Sequence, residues 1–251
     1  MSIARTTGVL CGAATILLLL ASPARASINY VQNGGFETTT NGTGELTFNT
    51  VATGWTSEPN GGNDGYNFLF APGTADTTGA TGADGSLKLW GPNDGSNNGL
   101  PATSPDGGNY VAMDGAYEVG ALQQTISTAL TVGDKYIVGF WWAGAQQSGF
   151  TGVNTEGFQV SMTGDATQDT NIVSNVSEGF TGWTYQQFTF VATTANPVLS
   201  FLAVGTPNGE PPFSLLDGVS LQAVPEPATC ALIGLGLLAV PLAAAIRRKR
   251  R

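Results

Sequence analysis

The chain has 251 residues, 35 of them glycine, with nine Lys and Arg against 18 Asp and Glu, two cysteines and no histidine, for a formal net charge of −9. Without histidine the usual general base, the Ser-His-Asp arrangement and nearly every zinc site are excluded. The acidic surplus repels phosphate backbones and argues against nucleic acid as a partner.

In chain order, Arg5 precedes an apolar run over residues 8–20, and Ala24-Arg25-Ala26 follows. This is the plan of a secretory signal peptide over residues 1–26, cut after Ala26. The run is short of the ~20 residues that a membrane span needs. Leu10 before Cys11 is too large for a lipid-attachment site.

Residues 27–223 form the exported body, sized for one all-β domain. It holds Lys88 and Lys135 as its only basic residues against 17 acids, a net −15, and neither cysteine. Such a surface attracts cations, calcium above all, because a hard cation prefers carboxylate and carbonyl oxygens.

Gly, Asn, Thr and Ser crowd residues 33–45, 57–66, 73–86 and 91–109, which read as loops. Strands are expected over 86–90, 110–113, 121–126, 135–143, 158–162, 183–192, 198–204 and 214–221. In "YQQFTFVAT" Phe188 and Phe190 share one face while Gln187 and Thr189 share the other, the pattern of a half-buried strand. In "YIVGFWWAG" both faces are apolar, so that strand is expected to be central and covered on both sides. Short strands, long loops and no helical periodicity indicate a β-sandwich.

Residues 228–246 are uncharged, about 28 Å as a helix and enough to cross a bilayer. Pro241 is tolerated inside a membrane helix. The cluster Arg247, Arg248, Lys249, Arg250 and Arg251 stays on the cytoplasmic side and turns the body outward. Between body and helix lies Val224-Pro225-Glu226-Pro227, where the prolines keep the backbone extended and open to a protease.

Pro225, Glu226 and Pro227, the apolar helix and the basic end together resemble the PEP-CTERM sorting signal of exopolysaccharide-producing Gram-negative bacteria. The resemblance implies cleavage by an exosortase, a membrane-embedded cysteine transpeptidase. It also implies transient anchoring in the inner membrane, then release to the cell surface or the extracellular matrix.

A second resemblance covers the body. "VQNGGFET", "TGWT", "GNYVAMDG", "GALQQTI", "LTVGDKYIVGFWWAG", "GWTYQQFTFVATTANPVLSFLAVG" and "FSLLDGVSL", in that order, are similar to galactose-binding-like jelly rolls, the fold of many carbohydrate-binding modules. It implies a single jelly-roll β-sandwich with the first and last strands side by side and a Ca2+ ion tying them together. Carried onto this chain, the ligands would be Glu37 and Asp217, helped by backbone carbonyls near Asn33. Gly218 stands where relatives often carry a second carboxylate, and the alternative is that Glu37 and Asp217 accept backbone hydrogen bonds at strand ends. Residues 60–108 are roughly twice as long as that pattern leads one to expect.

Sugar recognition stacks a pyranose face on an aromatic ring while Asn, Gln and Asp satisfy the hydroxyls. Trp90, followed by "GPNDGSNNG", and Tyr117, flanked by Asp114 and Glu118, carry that mixture. Trp55, Trp141, Trp142 and Trp183 read as core or strand-packing residues. The expectation is a non-catalytic surface or matrix protein contacting extracellular polysaccharide. The alternatives are a structural or adhesive envelope protein and, less favoured, a glycoside hydrolase, for which no carboxylate pair can be singled out.

Overall fold

The computed structural model describes residues 28–59 and 65–224. The signal peptide with Ala26, and the sorting segment with Pro225, Glu226 and Pro227, lie outside the described residues. Among the described residues there is no helix, and hence none long and apolar enough to cross a membrane.

The described chain forms β1 (Gly44–Glu45), β2 (Thr56–Pro59), β3 (Asn67–Phe70), β4 (Ala80–Gly82), β5 (Gly85–Leu87), β6 (Tyr110–Asp114) and β7 (Gly120–Thr125). These are followed by β8 (Lys135–Gln146), β9 (Asn154–Met162), β10 (Gln168–Asp169), β11 (Val173–Asn175), β12 (Thr184–Val191), β13 (Val198–Thr206) and β14 (Pro212–Ala223). One sheet has the order β1-β3-β6-β14-β8-β12 and the other β10-β9-β13-β7-β2, with β11 also on β9. All pairs are antiparallel. The longer strands alternate between the sheets: β6, β8, β12 and β14 in the first, β7, β9 and β13 in the second.

The main core fills the space between the sheets. Period-2 alternation brings Val138, Phe140 and Trp142 of β8 against Phe158 and Val160 of β9 and Phe201 of β13. Phe140 and Phe201 meet edge to face, centroids 5.1 Å apart at 81°, and Phe158 and Phe201 at 6.1 Å and 88°, the geometry that aromatic quadrupoles favour. Phe190 of β12 is fully buried here, while Phe188 packs against the same cluster from a half-buried position.

A second apolar cluster lies on the opposite face of the first sheet. Phe68 and Phe70 of β3, Ala143 and Ala145 of β8, and Phe213 and Leu215 of β14 are covered there by Leu87, Leu89 and Leu100. The long Gly-rich stretch is therefore a lid that gives the first sheet a second buried face. It explains the two-sided strand, with one refinement: β8 is covered on both sides from Ala143 onward, whereas Trp141 stays half-buried under Tyr185, centroids 5.1 Å apart. Trp55 and Trp142 are core residues at 3% and 4% exposure, and Trp183 packs partly buried against the second cluster.

Seven of the eight expected strands are present as β6, β7, β8, β9, β12, β13 and β14, several longer at their ends, whereas the run expected over 86–90 supplies only the end of the short hairpin strand β5, with Leu89 in an isolated bridge to Gln147. β9 begins four residues before the expected start, with Asn154, Thr155, Glu156 and Gly157, because β13 and β11 pair with it there. Alternation from Phe158 then turns Glu156 inward, where it is fully buried. Its Oε1 accepts one hydrogen bond from Asn175 Nδ2 at 3.3 Å, and Oε2 has no partner. Burial pushes its carboxyl up to about 8, against a smaller lowering by Asn175.

A carboxyl whose folded pKa is raised destabilises the fold between its unfolded pKa, about 4.5, and its folded one, because unfolding releases a proton there. Stability therefore falls from pH 4.5 to 8. Glu156→Gln removes that slope, and at pH 8 it is expected to raise the unfolding midpoint by several degrees, on the order of 1–3 kcal/mol. Thermal melts of both proteins at pH 5 and pH 8 check this, the gain being largest at pH 8.

Candidate functional site

Two groups of polar and aromatic residues stand out. The first surrounds a cavity of about 480 Å³ lined by Tyr66, Asp84, Asp114, Tyr117, Gln147, Phe150, Asn208 and Pro211. It sits at the end of the sandwich where β6 and β8 finish and β14 begins.

Asp114, the last residue of β6, builds the turn that carries Tyr117. Its Oδ1 accepts the N–H groups of Ala116 at 2.8 Å and Tyr117 at 3.1 Å, and its Oδ2 that of Glu118 at 3.0 Å. An Asp side chain capping the following turn is a common device. Gly115 is needed there, since a Cβ would lie 2.8 Å from the Gly205 nitrogen. The turn leaves the Tyr117 ring 56% exposed. Phe150, 41% exposed, stands in the loop between β8 and β9.

Tyr66 forms the apolar floor, its ring edge-on to Phe68 at 4.4 Å. Burial, followed by the negative charges of Glu45, Asp84, Asp114 and Glu118, pushes its hydroxyl up to about 12, so it remains a neutral donor at any physiological pH.

Of the three residues that the sequence offers for sugar contact, the structure brings Tyr117 and Asp114 to this cavity. Asp114 serves mainly as the holder of Tyr117. Trp90 is not in the lining. Its indole N–H donates to the Phe150 carbonyl at 2.7 Å and its own carbonyl accepts from Asn98 Nδ2 at 2.9 Å, so it props up the loop that carries Phe150. Phe150, Tyr66, Gln147 and Asn208 have no local sequence signal, since they come from three separate segments, Gln147 and Phe150 sharing the loop between β8 and β9.

The second group joins the start of the chain to β14. Tyr30 N–H donates to the Leu221 carbonyl at 2.9 Å and Val219 N–H to the Gly34 carbonyl at 3.0 Å, so the first segment lies along the last strand. Gly34 permits this approach: a Cβ there would fall 1.9 Å from the Val219 oxygen. Asp217 of β14 is fully buried; its Oδ2 accepts a short hydrogen bond from Ser104 Oγ and its Oδ1 has no partner.

Asp106 joins Asp217 from the long loop. Asp106 Oδ2 and Asp217 Oδ1 lie 3.3 Å and 3.9 Å from the point where a Gly35 Cβ would stand, so both oxygens face the Gly34-Gly35 backbone. Gly218, with φ of 58°, leaves room for this, since a Cβ would come within 3.0 Å of Asp106. Burial first, then the negative charges of Asp106 and Glu37, push the Asp217 carboxyl up to about 7, against lowering by Ser104 and the Gly218 N–H.

Glu37 is exposed and its Oε1 accepts the Asn109 N–H at 2.7 Å. Asn33 is turned elsewhere: its amide bridges Thr38 and Thr53, and its carbonyl accepts both the Phe36 N–H and the Trp55 indole N–H. Asp106 is thus the acid that sequence reasoning missed, 111 positions from Asp217. A neighbouring cavity of about 380 Å³ has Asp106, Trp141 and Tyr185 on its wall.

For a metal ion this donor set is incomplete. Among the described residues no three acidic side chains converge as a ready-made cage. Two carboxylates face one space and one oxygen is buried without a donor, which fits an oxygen-ligated cation whose other positions are filled by water.

Comparison with known proteins adds the following. Residues 223–251 match the PEP-CTERM protein-sorting motif. No curated protein matches the chain. Among solved structures, the carbohydrate-binding module TmCBM61, in complex with β-1,4-galactotriose, is similar at 20% identity and a TM-score of 0.39, with 79% of this chain and 100% of that chain covered. The CBM22-1 xylan-binding domain of Paenibacillus barcinonensis Xyn10C is similar at 13% identity and 0.38, covering 81% and 99%. A cyclase from Fischerella sp. TAU is similar at 16% identity and 0.46, covering 80% and 98%. At these identities and scores the likeness does not reach ligand or activity.

With a folded pKa of about 7 against 3.8, Asp217 makes the cation-free protein lose stability as pH rises from about 4 to 7. In chelator, Asp217→Asn is expected to flatten this part of the stability profile, leaving the slope due to Glu156. Urea titrations at pH 4.5 and pH 7.5 measure it.

Proposed function

We propose that this is an exported, exosortase-sorted surface or matrix protein whose sandwich binds extracellular polysaccharide without catalysis, through the cavity of Tyr117 and Phe150. The observation that carries the binding reading is the pair of exposed rings on a cavity otherwise edged by Asp84, Gln147 and Asn208. Exposed rings offer stacking faces, and the side-chain amides and carboxylate answer hydroxyls in both donor and acceptor roles. The non-catalytic reading is supported by Asp114, whose carboxylate is committed to three backbone N–H groups and so is poorly suited to act as a general acid or nucleophile. An adhesive protein without specific sugar binding is the alternative.

In this reading residues 228–246 anchor the unprocessed chain in the inner membrane with the basic end inside, and cutting near Pro225-Glu226-Pro227 releases the body. Mass spectrometry of the native protein would find its last residue close to position 227; a chain intact to Arg251 in a host that has the processing enzyme overturns the release step. For sugar binding, a glycan array of bacterial exopolysaccharides is expected to give specific hits that weaken about tenfold on Tyr117→Ala or Phe150→Ala, the loss of roughly 1.4 kcal/mol for one stacked ring. No hit across the array favours the adhesive alternative.

A second reading is carried by the unpartnered Asp217 Oδ1. In it Asp217 and Asp106 hold Ca2+ between the first segment and β14, with water completing the coordination. Calcium is expected to raise the melting midpoint and chelator to lower it, with no such shift in Asp217→Asn. An unchanged midpoint in the parent protein removes the ion.

A further inference from the structure

The two ends of β14 have different surroundings. Pro212, at its start, pairs with Gln146, beside the Tyr117 cavity. At its other end, Val224 N–H still donates to the Lys135 carbonyl at 2.9 Å. β14 is twelve residues long, about 36 Å from end to end at ~3.3 Å for each of its eleven steps.

The body therefore has no spacer before the sorting motif. Val224 is bonded into the sheet, and the apolar stretch begins at Ala228. From Val224 to Ala228 the chain takes four steps, at most about 14 Å even fully extended, against the ~5–8 Å of one headgroup layer.

The pole around Val224 is also firmly built. The loop between β7 and β8 and the loop between β12 and β13 interlock, with Leu130 N–H donating to the Ala195 carbonyl at 2.7 Å and Gly133 N–H to the Ala192 carbonyl at 2.8 Å. Tyr136, 2% exposed, lies beneath, its hydroxyl accepting the Thr131 N–H at 2.9 Å. Nothing in this arrangement offers a hinge.

Charge is divided in the same sense. Around Val224 the strand ends carry Lys135 with Asp134 and Asp165, whereas the opposite pole gathers Asp84, Asp114, Glu118, Glu178 and Glu210. An anionic lipid surface repels the second pole far more than the first.

We propose that, before the tail is cut, the sandwich stands on the outer face of the membrane on the pole made by residues 126–134 and 192–197, against the lipid headgroups. The Tyr117 cavity is then held outward at the opposite pole. This inference rests on the reading of residues 228–246 as a membrane anchor. It adds that the polysaccharide pocket is already presented outward while the protein is tethered, and that the processing enzyme works in a gap narrower than the body it releases.

The test uses the full chain with Cys11 and Cys230 changed to serine, reconstituted in phosphatidylethanolamine and phosphatidylglycerol vesicles that contain a headgroup-nitroxide lipid. Single cysteines are introduced on exposed residues, Val132→Cys and Thr194→Cys at the near pole and Asn208→Cys at the far pole, and labelled with a fluorophore after tryptophan emission has verified folding. The expected result is loss of most emission at 132 and 194 and none at 208. A flexible spacer inserted between Val224 and Pro225 is expected to restore emission at both near positions; quenching that persists overturns the short-tether argument. Equal quenching at all three positions, in protein that floats with the vesicles, overturns the orientation but leaves the anchor standing. Failure to float overturns the anchor and the orientation with it.

Discussion

Strand β14 is the member on which the rest of the molecule depends. It lies inside the first sheet, bonded to β6 on one side and β8 on the other, and it places side chains in both apolar clusters, Leu216 and Leu221 in one and Phe213 and Leu215 in the other. A strand buried on both faces and paired at both edges has no freedom to shift register, since a slip of one residue would exchange its two faces. Its middle holds Asp217, its start borders the Tyr117 cavity, and its end leads to the sorting motif. Both candidate sites are therefore held by the same segment.

No disulfide can close this body, because the two cysteines lie outside residues 27–223. Closure comes instead from the first segment lying along β14, made possible by the absence of a side chain at Gly34. Aromatic packing between the sheets and the lid over the first sheet supply the apolar burial. Against that gain stand two buried carboxyls, Glu156 and Asp217, each with an oxygen that receives no hydrogen bond. Such groups cost stability unless they are protonated or paired. They have different physical remedies: Glu156 lies among β8, β9 and β11 with Asn175 as its partner, whereas Asp217 lies beside a second carboxylate, Asp106, which lines a neighbouring cavity.

The Tyr117 cavity illustrates how a turn becomes a site. Asp114 spends its carboxylate on three N–H groups so that a ring can stand exposed, and Trp90 spends its indole N–H on the loop that presents another. Residues chosen from sequence for their chemistry thus act one step behind the surface, and the exposed groups come from neighbouring segments. Acidic side chains around the rim add negative field at the cavity.

Much was legible in the residues alone. Alternation in "YQQFTFVAT" and "YIVGFWWAG", with turn-formers between runs, determined an all-β body and the location of its seven longer strands, because a pleat sends successive side chains to opposite faces whatever the partner. The composition excluded histidine and thiol chemistry from the body, and the last 28 residues carried their sorting signal in linear order. Partnership was decided only by the tertiary structure. Within the 60–108 stretch the four-residue β3 is too short to stand out by alternation among the turn-formers, and its scattered leucines close the second core. Glu156 lies just before the strand expected from Phe158, and pairing with β13 and β11 extends the strand and turns it inward. Asp106 meets Asp217 from across the chain, and Phe150 and Tyr117 come from different loops to line one cavity. Periodicity specifies which face a residue occupies, but the neighbour on that face depends on how distant segments cross, and that is settled by the burial and hydrogen bonding of the whole fold.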